Sequence, residues 1–278
     1  MFRIVTLLRA TLLGTTLASG LLAAQPLPSA SPVPGGIALV PLQTASARFH
    51  GRPVMVLPTA GTPYAAQAPW VAVVGIPLSA KPGPLALESD AQRIDFQITD
   101  KRYREQRLKI TNKRQVNPEQ RDLERIGRER TEMLGALGNW RPEGQPVTRF
   151  VLPAQGPFSS PFGLKRFFND QPRAPHSGLD IAAPKDSPIT APAPGIVTAA
   201  GDYFFNGRNL ILDHGYGLVT MYSHMERIDV AVGDRVATGD PLGTVGSSGR
   251  ATGPHLHWTV SLNNVRVDPT LFIETPAH

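Results

Sequence analysis

The eight residues GPHLHWTV, at positions 253–260, predict a strand that carries two histidines. The second half of this stretch combines aromatic and β-branched residues, which favour extended structure. Successive side chains of a strand point to opposite faces, so residues two apart share a face. We therefore expect His255 and His257 to project to one side of the strand, within reach of a single site.

The composition predicts a turn-rich β protein that is large enough for two domains. The chain has 278 residues with 41% hydrophobic content, 26 Gly and 28 Pro, so it can bury a substantial core. Short apolar runs such as PVMVLP, WVAVVGIPL and RIDFQI are separated by turn residues at intervals typical of small sandwiches or barrels. We predict a mainly β fold with an amino-terminal β domain at 37–116 and a second β domain at 145–278.

A single helix is predicted between the two domains. In VNPEQRDLERIGRERTEMLGALG, Asn117 has the character of an N-cap, Pro118 suits the first helical position and Gly138 is a stop signal. We expect a linking helix at 117–138.

The amino terminus predicts export. Arg3 and Arg9 are followed by an apolar stretch from Ala10 to Ala24, which is short for a membrane span and typical of a secretory signal. We predict a signal peptide at 1–24 and a Pro/Ser/Gly linker at 25–36. The cleavage site is imperfect, so the protein is expected to be periplasmic or secreted, or held at the membrane if the segment is not cleaved.

The chain has no cysteine, so any metal site must use histidine and carboxylate ligands. The formal net charge of +6 favours an anionic envelope surface as a partner. No nucleic acid partner is expected for an exported chain, and the sequence does not indicate an oligomeric state.

The histidine pattern indicates a hydrolytic zinc centre. Such a centre keeps three protein ligands and one position for water. In PHSGLDIAAP, His176 and Asp180 lie in a loop that enters a strand, and they provide two candidate ligands. The third is His257 or His255, and the spacing cannot choose between them.

A fourth histidine is predicted beside the ion. In LVTMYSHM, alternation along a strand puts Thr220, Tyr222 and His224 on one face. A neutral imidazole at this position could take the proton of a metal-activated water. His214, at a turn in LDHGYG, is expected to be structural.

At the level of longer segments, the sequence resembles the catalytic domain of the lysostaphin-type zinc endopeptidases over residues 147–272. The resemblance rests on FSSPFGLKRFFNDQPRAPHSGLDIAAP, NLILDHGYGLVTMYSHM and VAVGDRVATGDPLGTVGSSGRATGPHLHWTV, in that order. The residues of the motifs FNDQPRAPHSGLD and GRATGPHLHW resemble those of the Gram-negative branch of this family. RYREQRLKITNKRQVNPEQRDLERIGRE is similar to the end of the β-sandwich domain that precedes the catalytic domain in that branch.

This resemblance implies a division of roles among the candidates. In the family, zinc is held by the residues that match His176, Asp180 and His257. The residues that match His255 and His224 act on the water and on the developing oxyanion. The implied fold is an antiparallel β structure with a substrate groove.

The implied reaction is hydrolysis of peptide cross-links in peptidoglycan, with zinc as the cofactor. The branch points to a D-alanyl to diaminopimelate bond, whereas glycyl bridges would suit a secreted bacteriolytic relative. Two alternatives stay open: a secreted zinc protease that acts on proteins, and a catalytically inactive module that binds the wall or activates another enzyme.

The amino-terminal domain has two predicted roles of equal weight. It either restrains the enzyme by lying across the groove, or it serves as a passive spacer or a wall-binding module. Restraint requires a modest interface between the domains, because a large apolar contact would not open.

Overall fold

A computed structural model describes residues 26–90 and 92–273, which form a mainly β protein with one long helix in these ranges. The predicted fold class is confirmed. The predicted signal peptide at 1–24 lies outside the described residues and stays a prediction. Within the described part of the chain, no helix combines the length and the apolar character that a bilayer crossing requires.

The amino-terminal domain is a sandwich of two antiparallel sheets. Its strands are β1 (Ile37–Leu42), β2 (Arg48–Phe49), β3 (Arg52–Pro53), β4 (Met55–Pro58), β5 (Trp70–Gly75), β6 (Gly83–Ser89) and β7 (Gln92–Ile98). The sheets have the orders β1-β5-β4 and β3-β2-β6-β7. Ala72 and Val74 of β5 pack with Phe49 and Leu87 of the other sheet, so alternate residues of β5 fill the space between the sheets.

The remaining strands in the described part of the chain are β8 (Glu105–Leu108), β9 (Phe158–Ser160), β10 (Lys165–Phe168), β11 (Gln171–Pro172), β12 (Leu179–Ile181), β13 (Pro188–Thr190), β14 (Gly195–Tyr203), β15 (Gly207–Asp213), β16 (Leu218–Ile228), β17 (Arg235–Val236), β18 (Pro241–Val245), β19 (Leu256–Leu262) and β20 (Val265–Val267). The second domain is built on a ten-stranded sheet with a central path of β17-β14-β15-β16-β19-β12-β9. Strand β19 contains the second half of GPHLHWTV. It pairs antiparallel with β12, β16 and β20.

The two domains share one apolar core. Val71 and Val73 lie on the face of β5 opposite to Ala72, and they belong to the cluster that contains Leu262 and Val267 of the second domain. Sheet β1-β5-β4 is therefore covered on both faces, which explains why WVAVVG is a continuous apolar run and does not alternate.

Helix α1 (Gln120–Leu137) packs against β14, β15 and β16. It ends at Gly138 as expected, but the prediction of Asn117 as its N-cap is wrong. The N-cap is Glu119, whose backbone N–H donates to the Asp122 side chain at 3.1 Å. Arg114 also binds the Asp122 carboxylate, so this ion pair fixes the first turn.

The segment at 105–116, which we call the strap, leaves the amino-terminal sandwich and lies on the second domain. Its strand β8 pairs in parallel with β10. Asn169 then holds the strap through two hydrogen bonds with the Ile110 backbone, at 2.9 and 3.0 Å. A boundary at 116 assigns the strap to the first domain by sequence, whereas its pairing belongs to the second. The domain limits stay a proposal.

His214 is structural, as its turn position indicated. Its Nδ1 lies 2.7 Å from the carbonyl oxygen of Pro194, its Nε2 lies 2.8 Å from Thr220 Oγ1, and its ring packs against Phe150. Burial lowers the pKa of His214 from 6.5 to about 4. The folded protein therefore keeps this imidazole neutral at a pH where the unfolded chain takes up a proton.

We expect this difference to appear in the pH dependence of stability. Above pH 6.5 His214 is neutral in both states, and between pH 6.5 and 4 only the unfolded state gains the proton, so the free energy of unfolding falls. The loss should approach ~3 kcal/mol at pH 4. A His214→Gln variant should lack this component in denaturant titrations across that range. The same slope in both proteins would contradict the assignment.

Candidate active site

The structure brings His176, Asp180 and His257 together in one buried cluster. Asp180 on β12 lies directly opposite His257 on β19 in the strand register. Gly178 makes this approach possible, because a Cβ there would lie 2.6 Å from the carbonyl oxygen of Trp258 and 2.8 Å from the His257 ring. Sequence spacing left His255 or His257 as the third member, and the register places His257 in the cluster.

The donor atoms fit a single metal ion. His176 Nε2, Asp180 Oδ1 and His257 Nδ1 form a triangle with sides of 2.7, 2.9 and 3.0 Å. One ion can contact all three at the roughly 2.0–2.1 Å typical of zinc with nitrogen and oxygen. The second nitrogen of each ring is engaged elsewhere, since His176 Nδ1 lies 2.8 Å from the Pro161 carbonyl and His257 Nε2 lies 3.2 Å from Thr259 Oγ1. These contacts leave the inward nitrogens free to act as ligands.

The electrostatics of the cluster match what a cation needs. Burial lowers the pKa of His257 to about 4, so its ring is neutral at physiological pH. Burial alone would raise the pKa of Asp180, but hydrogen bonds with His176 and His257 hold it well below its ordinary range. The cluster therefore offers one carboxylate and neutral imidazole in the forms that bind a metal.

His255 lies at the edge of the cluster, not within it. Its Nε2 is 3.9 Å from Asp180 Oδ1, and 16% of its side chain is exposed. Its Nδ1 lies 2.8 Å from the Gly253 carbonyl oxygen, so Nδ1 carries the proton and Nε2 is left as an acceptor. His255 thus presents an open nitrogen next to the donor triangle.

The His224 side chain also lies beside the cluster, but not on the strand face that the sequence predicts. The prediction that His224 shares a face with Thr220 and Tyr222 is wrong. Those two side chains are hydrogen-bonded to each other in the core at 2.8 Å, whereas the His224 ring centre is 4.9 Å from that of His255 and 6.0 Å from that of His257.

A β-bulge causes this reversal. The pairing of β15 with β16 shifts between Arg208 and Leu210, which leaves one extra residue in β16. His224 has a left-handed φ of 65° at this point. A bulge interrupts alternation and redirects a side chain, and here it turns the imidazole from the core face to the site. The backbone N–H of His224 donates to the carbonyl oxygen of Asn206 at 2.8 Å.

The His224 ring is neutral and fixed. Its Nδ1 lies 2.8 Å from the Ser248 carbonyl oxygen, so its Nε2 is an acceptor. Burial, together with the nearby His257 and His255, lowers the pKa of His224 to about 3. The site therefore holds two imidazoles, outside the donor triangle, that can accept a proton.

Sequence reasoning missed Arg166. Its Nη2 donates to Asp180 Oδ2 at 3.1 Å, while Asp180 Oδ1 is one corner of the donor triangle. Its Nε donates to Gln106 of the strap at 3.1 Å. Arg166 therefore fixes the orientation of the Asp180 carboxylate. An arginine between two phenylalanine-rich segments gave no sequence signal for this role.

The cluster opens into a cavity of about 730 Å³. Its walls include three segments that are far apart in sequence. They are the strap, the loop around 173–177 and the turn at 250–255. His224, His255 and His257 all line this cavity, so a substrate within it would contact the histidines directly.

A mainly β fold in which a buried His/Asp/His set faces a groove has the organisation of a metallopeptidase centre. The profile described as Peptidase family M23 matches residues 174–269, and that of the Peptidase family M23 N-terminal domain matches residues 30–101. The crystal structure of a candidate peptidase M23 from Pseudomonas aeruginosa is 42% identical, covers 87% of this chain and 94% of its own, and superposes with a TM-score of 0.70. The chain belongs to peptidase family M23.

Two curated relatives match part of this chain. DD-carboxypeptidase/endopeptidase Mpg of Neisseria meningitidis is 37% identical over 119 residues, which are 42% of this chain and 27% of that protein. Peptidoglycan DD-endopeptidase ShyC of Vibrio cholerae is 38% identical over 94 residues, which are 34% of this chain and 22% of that protein. The matched part therefore spans about a quarter of the length of these relatives.

The metal content of single variants should distinguish the roles of His255 and His257. We expect His257→Ala to lose most of its bound zinc, because removal of one of three protein ligands leaves a weak site. His255→Ala should keep the metal, since its Nε2 lies outside the donor triangle. Metal analysis of the purified proteins after dialysis tests this. Equal losses in both variants would show that the ligand assignment is incorrect.

Proposed function

We propose that the protein is a zinc-dependent endopeptidase that hydrolyses peptide cross-links in peptidoglycan. One observation carries the proposal: the buried His176, Asp180 and His257 set lies beside two further acceptor imidazoles in a cavity large enough for a peptide. The names of the Neisseria and Vibrio relatives support a peptidoglycan peptide as the substrate. That substrate lies outside the cytoplasm, which agrees with the predicted signal peptide.

In the proposed mechanism, water is activated at the metal and the histidines outside the donor triangle transfer protons. When bound, zinc supplies Lewis acidity and lowers the pKa of water. His176, Asp180 and His257 would hold the ion, and Arg166 keeps the aspartate oriented. His255 and His224 each present Nε2 as a proton acceptor. After either ring takes the proton, the same nitrogen becomes a donor for the developing oxyanion or the leaving amine.

The substrate class can be tested with purified material. Cross-linked muropeptide should be converted to uncross-linked products faster than casein is degraded. Mass spectrometry of the products gives the activity and the bond together. Faster degradation of casein would favour the general protease, and no turnover of either substrate by zinc-loaded protein would favour the inactive wall-binding module.

The role of His255 gives a sharper test of the mechanism. His255→Ala should lower kcat on muropeptide by a factor on the order of 10²–10⁴, as expected for a lost acid–base group. The zinc content should stay unchanged, so the loss would reflect chemistry and not metal binding. Unaltered turnover in a zinc-loaded variant would exclude His255 from proton transfer.

The strap is proposed to restrain access to the cavity. Gln115 Nε2 donates to the Gly249 carbonyl oxygen at 2.8 Å, and Asn169 holds the other side of the strap at Ile110. The domains share an apolar core, so movement of the whole amino-terminal domain away from the groove would expose a large apolar surface. Local movement of the strap exposes much less apolar surface, because Val116 is the one buried hydrophobic side chain between residues 105 and 116.

Because the domains share a core, deletion of the amino-terminal domain is a poor test of restraint. Removal of residues before Gly144 would uncover the second domain where Val71 and Val73 pack and where Leu137 of α1 packs on Ile211. The full-length protein with local substitutions is therefore the better material.

We expect Asn169→Gly combined with Gln115→Ala to loosen the strap between residues 110 and 115, while the pairing of β8 with β10 stays intact. Glycine suits position 169, where φ is 49°. The double variant loses three hydrogen bonds at roughly 1 kcal/mol each, so hydrolysis of small soluble muropeptides should rise roughly 10- to 100-fold if the closed strap limits access. Gln97→Ala, on the exposed edge of β7, is the matched control. Unchanged rates on soluble substrate, with slower attack on intact sacculi, would favour wall targeting.

A further inference from the structure

The cavity beside the metal ligands is strongly cationic. Arg166, Arg173 and Arg250 all line it, and among the described residues of its lining Asp180 is the one carboxylate. Arg166 is already paired with that carboxylate. Arg173 and Arg250 have no acidic side chain within ion-pair distance among residues 26–90 and 92–273. Two guanidinium groups thus face the cavity without a counter-ion.

Arg250 is held rigidly in this position. Its guanidinium carbon lies 4.8 Å from the centre of the Phe168 ring and 4.2 Å from the centre of the Phe205 ring. Its backbone N–H donates to the Phe205 carbonyl oxygen at 2.9 Å. Burial, together with the neighbouring Arg166 and Arg173, lowers the pKa of Arg250 to about 10, so the group is still charged at physiological pH. Keeping this charge partly buried without an acid is unfavourable, and an anionic ligand would relieve the cost.

The two arginines converge on one place. Arg250 Nη1 donates to the carbonyl oxygen of Gln115 at 3.3 Å, and Arg173 Nη2 donates to that of Val116 at 2.9 Å. Consecutive carbonyl oxygens of the strap therefore occupy both guanidinium groups. Carbonyl oxygens carry only partial negative charge, and a carboxylate offers two oxygens of the kind that guanidinium groups bind best.

We propose that Arg173 and Arg250 form a subsite that binds a free carboxylate of the substrate next to the bond that is cleaved. This inference rests on the proposed function. The chemistry selects a cross-link in which the residue on the amine side carries a free carboxylate beside the amide nitrogen. A D-alanyl to diaminopimelate bond has this feature and an internal bond of a glycyl bridge does not. The carboxylate and the strap carbonyls compete for the same two arginines.

The test compares two soluble substrates that differ in one group. One is a muropeptide dimer with a direct D-alanyl to diaminopimelate link, and the other is the same dimer with the diaminopimelate carboxyl next to the link converted to an amide. For the wild-type protein, amidation should lower kcat/KM roughly 10- to 100-fold, the range expected for a lost charge-assisted hydrogen bond. Arg250→Gln should cleave both dimers at the same low rate, and Arg250→Lys should keep part of the preference.

The variants distinguish recognition from a structural role. Arg173→Gln should also reduce the preference, whereas Arg235→Gln, an exposed arginine on β17, should retain it in full. If Arg250→Gln slows both dimers equally and the preference survives, Arg250 only supports the strap and the subsite is wrong. Equal cleavage of both dimers by the wild-type protein would overturn the subsite and leave the proposed function standing. Cleavage of neither dimer by zinc-loaded protein would overturn the proposed function itself.

Discussion

The antiparallel pairing of β19 with β12 and β16 is the constraint on which the site depends. Through β12 it places Asp180 opposite His257, and through β16 it places Ser223 opposite the same histidine. The positions of Asp180 and His257 are therefore fixed by main-chain hydrogen bonds between strands, and the loop residue His176 is held beside them by its backbone N–H, which donates to the Leu164 carbonyl oxygen at 2.9 Å. A shift of one residue in either pairing would send His257 into the core and Trp258 into the groove. The buried Trp258 makes such a shift costly, because its large apolar surface would become exposed.

Much of this organisation could be predicted from local sequence. Alternation in GPHLHWTV correctly brought two histidines to one site, and Gly138 marked the end of α1. Spacing could not choose between His255 and His257, because residues that share a face are equivalent until the opposing strand is known. The continuous apolar run at 70–75 was a signal of burial on two faces, but it does not say what covers each face.

The wrong and missing predictions have a common physical cause. Bulges and side chains that are distant in sequence override the pattern of neighbouring residues. His224 left the predicted face because β16 carries one extra residue relative to β15. Asn117 lost the N-cap position because Asp122, bound by Arg114, stabilises a later start. Arg166 was missed because its partner Asp180 is distant in sequence and is recognised only through the fold.

Sheet β1-β5-β4 makes each domain depend on the other for a complete core. One of its faces completes the amino-terminal sandwich and the other completes the core of the second domain. Even the backbone is closely fitted, since a Cβ at Gly75 would lie 2.8 Å from the Leu262 carbonyl oxygen. The two domains are therefore not interchangeable modules joined by a linker. A domain taken from a relative would have to bring a matching apolar face, and any side chain larger than glycine at position 75 would clash with the second domain.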